Sequence, residues 1–245
     1  MGSPYSGCAT MLHLMAAGLL STVWNTALDL VFPPRCVACG EFGAFVCPSC
    51  APKMTAASPP RCERCWMPVD GRGCARCLAQ PPAFTAARSA YVYEGAVREA
   101  VHALKFGGVS AIAPPMAKAM AETFLVWQPP ADVVVPVPLS AARLRRRGYN
   151  QAALLAQGIA RRAGLRVEQL LRRAADTPAQ ALLKDERARR ANVAGAFALR
   201  RPAAGRRVLL VDDVLTTGAT LGACARVLLD GGAPAVYVLT YARED

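Results

Sequence analysis

The chain has 245 residues, 53% of them hydrophobic, 19% charged and 7% aromatic, which is enough apolar length for one substantial core with a small appendage and excludes wholesale disorder. The formal net charge is +12, and the excess lies in one stretch: residues 140–207 hold 17 basic against 4 acidic side chains, a net +13, while residues 1–139 stand at +2 and residues 208–245 at −3. That concentration points to an anionic partner, either phosphate ligands or nucleic acid, the alternative being arginine-rich helices that only face solvent.

Residues 1–28 carry no formal charge. No basic region precedes their apolar part, Ser21, Thr22, Asn25 and Asp29 interrupt it, and Leu12, Met15, Leu19, Val23, Ala27 and Leu30 recur at helical spacing. The pattern predicts an amphipathic helix within residues 1–32 that packs on the protein, with contact at a membrane surface as the other reading, rather than an export signal or a transmembrane segment.

Eight of the ten cysteines then fall between Cys36 and Cys77, in four Cys-x-x-Cys pairs: Cys36 and Cys39, Cys47 and Cys50, Cys62 and Cys65, Cys74 and Cys77. Two residues between thiolates let a tight turn aim both sulfurs at one ion, and two such knuckles supply the four ligands of a closed tetrahedral site. Residues 33–80 are therefore expected to form a double zinc ribbon with two structural Zn²⁺ ions. The local grouping, Cys36/Cys39/Cys47/Cys50 and Cys62/Cys65/Cys74/Cys77, is the simplest, and an interleaved one also fits the spacing. Reduced thiolate pairs suit the cytoplasm, whereas disulfides would suit secretion. With no open coordination position the metal folds the segment rather than catalysing. His13 and His102 lie outside the knuckles, and Cys224 reads as a small core residue.

From about Ala83 strands and helices alternate. The expected elements are a strand at Tyr91–Tyr93, helices at Gly95–Phe106 and Pro114–Trp127, a strand at Asp132–Val135, a helix at Asn150–Arg162, a strand at Val208–Val211, a helix at Leu221–Asp230 and a strand at Ala235–Tyr241. Such alternation predicts an α/β domain over residues 83–245, a parallel sheet with flanking helices whose ligand sits at the carboxyl ends of the strands.

One strand end carries most of the chemistry. The apolar run from Val208 to Val211 leads into Asp212 and Asp213, and Thr216, Thr217, Gly218, Ala219 and Thr220 then open a helix. Hydroxyls and backbone N–H groups converging on a helix N-terminus favour a phosphate. Two acids beside an anion site would repel it unless they serve polyol hydroxyls or a divalent cation, a requirement that a sugar phosphate with vicinal hydroxyls meets. Neither a P-loop nor a dinucleotide-binding glycine motif is present.

This segment resembles the phosphoribosyl-pyrophosphate signature of type I phosphoribosyltransferases. Together with Val135-Pro136-Val137-Pro138-Leu139, Arg147-Gly148-Tyr149-Asn150-Gln151, Arg173, Thr177 to Gln180, Arg187 to Asn192, Phe197 and the cysteine ribbon, the chain from Leu30 onward resembles the ComF/GntX family of competence-associated phosphoribosyltransferase-like proteins. The resemblance implies a type I phosphoribosyltransferase fold behind the ribbon. It implies that Asp212 and Asp213 act as the catalytic pair on the ribose hydroxyls and that Thr216 to Thr220 cradle the 5′-phosphate. Pro136 and Val137 would border the pyrophosphate, with Arg143, Arg147 and Lys105 as its cationic partners, and Mg²⁺ would accompany phosphoribosyl pyrophosphate. Thr216 stands where purine-base enzymes carry an acid, which makes a purine base a poor acceptor.

Three functions follow as expectations. The first is phosphoribosyl transfer to an acceptor the sequence does not name. The second is non-catalytic binding of single-stranded DNA or RNA, with Arg145, Arg146 and Tyr149 as contacts and Trp66, Tyr91 or Tyr93 as further stacking rings. The third is assembly with other proteins, which the family's tie to natural transformation would make DNA-uptake proteins.

Overall fold

A computed structural model describes residues 33–71, 73–174 and 195–245. The helix expected within residues 1–32 lies outside the described residues, as do Thr177 to Gln180 and Arg187 to Asn192. The chain divides into two compact units, Met1–Ala51 and Pro52–Asp245.

In the second unit five parallel strands form one sheet in the order β1-β7-β6-β2-β3, made of Ala86–Val92 (β1), Val133–Pro136 (β2), Arg166–Val167 (β3), Val208–Leu215 (β6) and Val236–Arg243 (β7). Leu171–Arg173 (β4) and Phe197–Leu199 (β5) pair antiparallel as a separate ribbon. The helices are Ala75–Ala79 (α1), Gly95–Phe106 (α2), Ala113–Trp127 (α3), Ala141–Arg147 (α4), Gln151–Ala163 (α5) and Ala219–Asp230 (α6).

A parallel sheet needs both faces covered, and its strands read as apolar runs for that reason. Val208 and Leu210, with Val133, Val135, Val236 and Val238, pack with Leu221, Cys224, Ala225 and Leu228 of α6. Their alternates Val134, Leu209, Val211 and Leu239 are equally buried, on the face that α3 and α5 cover. Cys224 is completely buried, as its apolar setting required.

Three differences from the sequence reading have physical causes. Strand β6 continues through Asp212 and Asp213 to Leu215 because β7 runs alongside it, pairing Asp212 with Thr240 and Leu215 with Arg243. Strand β1 begins at Ala86, where pairing with Tyr237 of β7 outweighs the weak strand preference of its alanines. The arginine cluster is a helix, α4, absent from the expected elements, started by Ser140 Oγ accepting the Arg143 N–H (3.3 Å) and stopped by Gly148 at φ +80°.

The second half of the ribbon is built into this unit. Arg88 of β1 lies 4.0 Å from the ring centre of Trp66 and 5.1 Å from that of Trp127, and it pairs with Glu63. Arg61 holds Asp245 through both guanidinium nitrogens at 2.6 Å. The Ala57 N–H donates to Ala90 O, and the Val92 N–H to Thr55 O.

Helices α3 and α5 meet at a glycine: a Cβ on Gly158 would lie 2.4 Å from the Ala117 Cβ. Gly158→Ala is therefore expected to destabilise the protein by about 1–3 kcal/mol in urea unfolding. Adding Ala117→Gly should return part of that loss, because it removes the methyl group in the way.

Candidate phosphate-binding site and zinc centres

The Cys36–Cys39 and Cys62–Cys65 knuckles are turns whose N–H groups point at sulfur. In the first unit Gly40, at φ +80°, lets its N–H return to Cys36 O (2.8 Å), and the Cys47 N–H donates to Cys36 Sγ at 3.5 Å. Burial opposes ionisation of Cys36, yet N–H donors from Cys47, Ala38 and Cys39 win and bring its pKa down to about 6. In the second ribbon Cys62 falls to about 7 in the same way, against burial, through the N–H groups of Cys65 and Arg64.

The sulfurs of Cys36, Cys39, Cys47 and Cys50 all lie within 4.8 Å of one another, as do those of Cys62, Cys65, Cys74 and Cys77, so the grouping is local. Tetrahedral zinc with Zn–S near 2.3 Å separates its sulfurs by about 3.8 Å. The sulfurs stand 3.6 Å apart for Cys39 and Cys47, 3.8 Å for Cys62 and Cys77 and 3.5 Å for Cys65 and Cys74, spacings that suit a shared ion and are too long for disulfides. Each set is closed by four thiolates, and both fit Zn²⁺ as a structural metal.

The sheet order reverses at β2, which has β3 on one side and β6 on the other. The crevice of such a sheet opens there, beyond the carboxyl ends of β2 and β6. Val135, Pro136 and Val137 border it as buried backbone. Asn150 fastens that loop, donating from Nδ2 to Val137 O (3.0 Å) while its Oδ1 caps α5 at the Ala152 N–H (3.0 Å).

On the β6 side, Asp213 is 2% exposed; its Oδ1 meets Lys105 Nζ at 2.7 Å, while its buried Oδ2 has no hydrogen-bond partner among the described residues. Burial and the Asp213 charge raise Asp212 to about 7, against the opposing pull of Lys105 and Arg147. Burial lowers Lys105, but the two aspartates more than offset it and hold it above its usual range. Thr216 to Thr220 follow directly, with Gly218 at φ +74° forming the cap of α6 and Thr217 Oγ1 accepting the Ala219 N–H at 3.3 Å. A side chain at Gly218 would be strained by that φ and would press on Leu215 and Phe84.

The structure thus gathers Asp212, Asp213, Lys105 and the Thr216–Thr220 loop at one crevice, and the charge of Arg147 acts there too. Arg147 bonds Gln151 Oε1 and stands 5.5 Å over the Phe106 ring. Arg143 is partly buried on α4, and Arg145 and Arg146 are exposed. The Tyr149 hydroxyl donates to Leu104 O at 2.6 Å. Trp66 does not serve as an open stacking ring, because it is 6% exposed and lies beneath Arg88. Tyr91 is partly buried edge-on to Tyr241, and Tyr93 is also partly buried. Sequence reasoning missed Arg76 and Arg243, which lie behind the phosphate loop; a charged residue ending the apolar strand Val236–Arg243 was the available signal for the second.

Comparison with known proteins agrees with this arrangement. The family model of the double zinc ribbon domain matches residues 27–80. The DNA utilization protein YhgH of Escherichia coli K12 is 33% identical over 211 residues, covering 82% of this chain and 91% of its own. The competence protein ComFC of Bacillus subtilis is 30% identical, covering 76% and 79%. The chain belongs to the ComF family. It carries a double zinc ribbon with two structural zinc sites followed by an α/β domain. Among solved structures, the glutamine phosphoribosylpyrophosphate amidotransferase of Bacillus subtilis is similar over 57% of this chain and 30% of that one, at 20% identity and a TM-score of 0.40. An overlap of that extent decides nothing here; the α/β architecture stands on the strand order and the flanking helices. Among the described residues no helix is long and apolar enough to cross a membrane.

Two outcomes are expected. Metal analysis of the purified protein should give two zinc ions per chain, falling to one on Cys39→Ser. Because burial and the Asp213 charge raise Asp212 from the ordinary carboxylate range to about 7, the folded state holds that proton more tightly than the unfolded chain. The resulting stability is fully present below the unfolded pKa and is lost as pH rises through the folded one. Asp212→Asn should therefore raise the thermal midpoint by about 3 °C or more at pH near 8 and leave it unchanged near pH 4, as read by calorimetry.

Proposed function

We propose that the crevice between β2 and β6 binds phosphoribosyl pyrophosphate with Mg²⁺ and that the α/β domain is a type I phosphoribosyltransferase fold. The observation that carries this reading is the buried Asp213 Oδ2, without a hydrogen-bond partner among the described residues, near the carboxyl end of β6 and a few residues before a helix N-terminus. Its neighbour Asp212 is held close to neutral titration. Such a site offers acceptors to hydroxyls or a cation and donors to a phosphate within one loop, and a sugar phosphate with vicinal hydroxyls presents both.

In this reading Asp212 and Asp213 hold the ribose 2′- and 3′-hydroxyls, and Thr216, Thr217, Gly218, Ala219 and Thr220 hold the 5′-phosphate. Pro136 and Val137 border the pyrophosphate, and Arg143 and Arg147 neutralise it. Lys105, paired with Asp213 at 2.7 Å in the free protein, exchanges that partner for the ligand. Asp213 Oδ2 and the pyrophosphate oxygens would hold Mg²⁺, which supplies positive charge to the leaving group. Transfer, where an acceptor is present, breaks the bond from C1′ to pyrophosphate, whose oxygen keeps the electron pair. A bond from the acceptor's nucleophilic atom to C1′ replaces it.

The names of the relatives, DNA utilization protein and competence protein, support a role in the uptake or use of DNA, which we place in the cytoplasm and alongside DNA-uptake proteins. The exposed Arg145 and Arg146 on α4 favour a second reading in which single-stranded nucleic acid runs past the same crevice and Tyr149 borders it.

Calorimetric titration of the zinc-loaded protein with phosphoribosyl pyrophosphate and Mg²⁺ tests the first reading. A dissociation constant of about 10 μM or tighter is expected, lost in the Asp212→Asn/Asp213→Asn double variant. A folded wild type that binds none of the ligand sinks it. Single-stranded DNA binding whose salt slope drops by about 1.4 on Arg145→Ala/Arg146→Ala would then carry the second.

A further inference from the structure

The loop that ends β6 is gripped from behind by two guanidinium groups. Arg243, at the end of β7, donates from Nη1 to Leu215 O (3.4 Å) and to Thr216 O (3.3 Å). Arg76 donates from Nη2 to the next carbonyl, Thr217 O. Three successive carbonyls of the phosphate loop therefore point at arginines. In a trans peptide the C=O and the following N–H point in opposite directions. Anchoring the carbonyls of Leu215, Thr216 and Thr217 thus turns the N–H groups of Thr216, Thr217 and Gly218 the other way, as donors for an anion.

Both arginines also border the second zinc ribbon. Arg76 sits on α1 between the ligands Cys74 and Cys77. Arg243 is 1% exposed, and its Nε and Nη2 have no hydrogen-bond partner among the described residues. A cavity of about 480 Å³ has Arg243, Arg76, Cys65, Cys77, Thr217 and Gly218 in its wall. Burial of an unpaired cation is costly. Four thiolates around one Zn²⁺ keep a net negative charge, and Cys65 and Cys77 share that cavity wall with both guanidinium groups.

We propose that the second zinc centre acts as the counter-charge that seats Arg76 and Arg243, and that these two positioning residues transmit it to the phosphate loop, so that metal in this ribbon sets the loop's competence to bind a phosphate. The proposal deepens the reading of the crevice given above and rests on it. By linkage the dependence is reciprocal: a ligand that tightens the loop also tightens the metal.

Hydrogen exchange of the full-length, zinc-loaded protein without ligand reads the coupling directly. Arg76→Ala is expected to speed exchange of the Thr216–Gly218 amides about tenfold while the β2 and β7 amides keep their wild-type rates, and Arg76→Lys to recover part of the protection. Chelation of zinc from the wild type should produce the same loop effect. Arg61→Ala removes a different guanidinium link, the one to Asp245, and should leave the loop unchanged. Binding of phosphoribosyl pyrophosphate with Mg²⁺ should weaken about tenfold in Arg76→Ala. The proposal is overturned if the loop keeps its wild-type exchange after either Arg76→Ala or zinc removal, or if Arg61→Ala loosens it as much. A wild type that binds no phosphoribosyl pyrophosphate defeats the proposed ligand instead, and the ligand-free exchange still decides the coupling.

Discussion

The pairing of β6 with β7 is the constraint on which the rest of the second unit depends. Eight residues of β6 run beside eight of β7, and the residues from Val208 to Val211 are buried to the last side chain. Such a strand is held on both edges as far as Val211, where β2 ends, and its carboxyl end is anchored by continued pairing with β7. Asp212, Asp213 and the loop after them stand on that end. Groups mounted there are held in position before any ligand arrives, which is what a preorganised polar site needs.

The same anchoring explains why charges survive so deep in the structure. Asp213 is almost fully enclosed and is tolerable because Lys105 reaches it from the last turn of α2. Asp212 has no such partner and so drifts toward neutrality at ordinary pH. Neighbouring carboxylates with one cation between them cannot both be comfortable as anions. The imbalance is built in by the chain, and a site left short of positive charge is a site ready to take a cation or a hydroxyl donor.

The two halves of the double ribbon have unlike surroundings although their cysteine spacing is alike. The first belongs to its own compact unit, where the thiolates of Cys36, Cys47 and Cys50 with Val46 form the apolar centre. The second is continuous with the α/β domain through the Arg88 stack, the Arg61–Asp245 pair and the hydrogen bonds to β1. A small metal-folded segment lacks a core of its own, and here the second one borrows that of its neighbour.

Metal chemistry and strand chemistry were legible in the chain itself, because both depend on spacing along it. Cys-x-x-Cys pairs announce knuckles, the apolar run Val208–Val211 announces a buried parallel strand, and the threonine-rich turn after the acids announces the start of a helix. Each of these is local, and the helix at Gly95–Phe106 came out residue for residue. Long-range placement was decided only by tertiary structure. Nothing in the order of residues says that Lys105 meets Asp213, that Arg243 and Arg76 share one loop from opposite ends of the chain, or that Trp66 is stacked under Arg88 and closed to ligands. Those pairs are separated by tens to more than a hundred residues, and their partners are chosen by which strands lie side by side. Spacing states what a segment is able to do, and packing selects which of those capacities face each other.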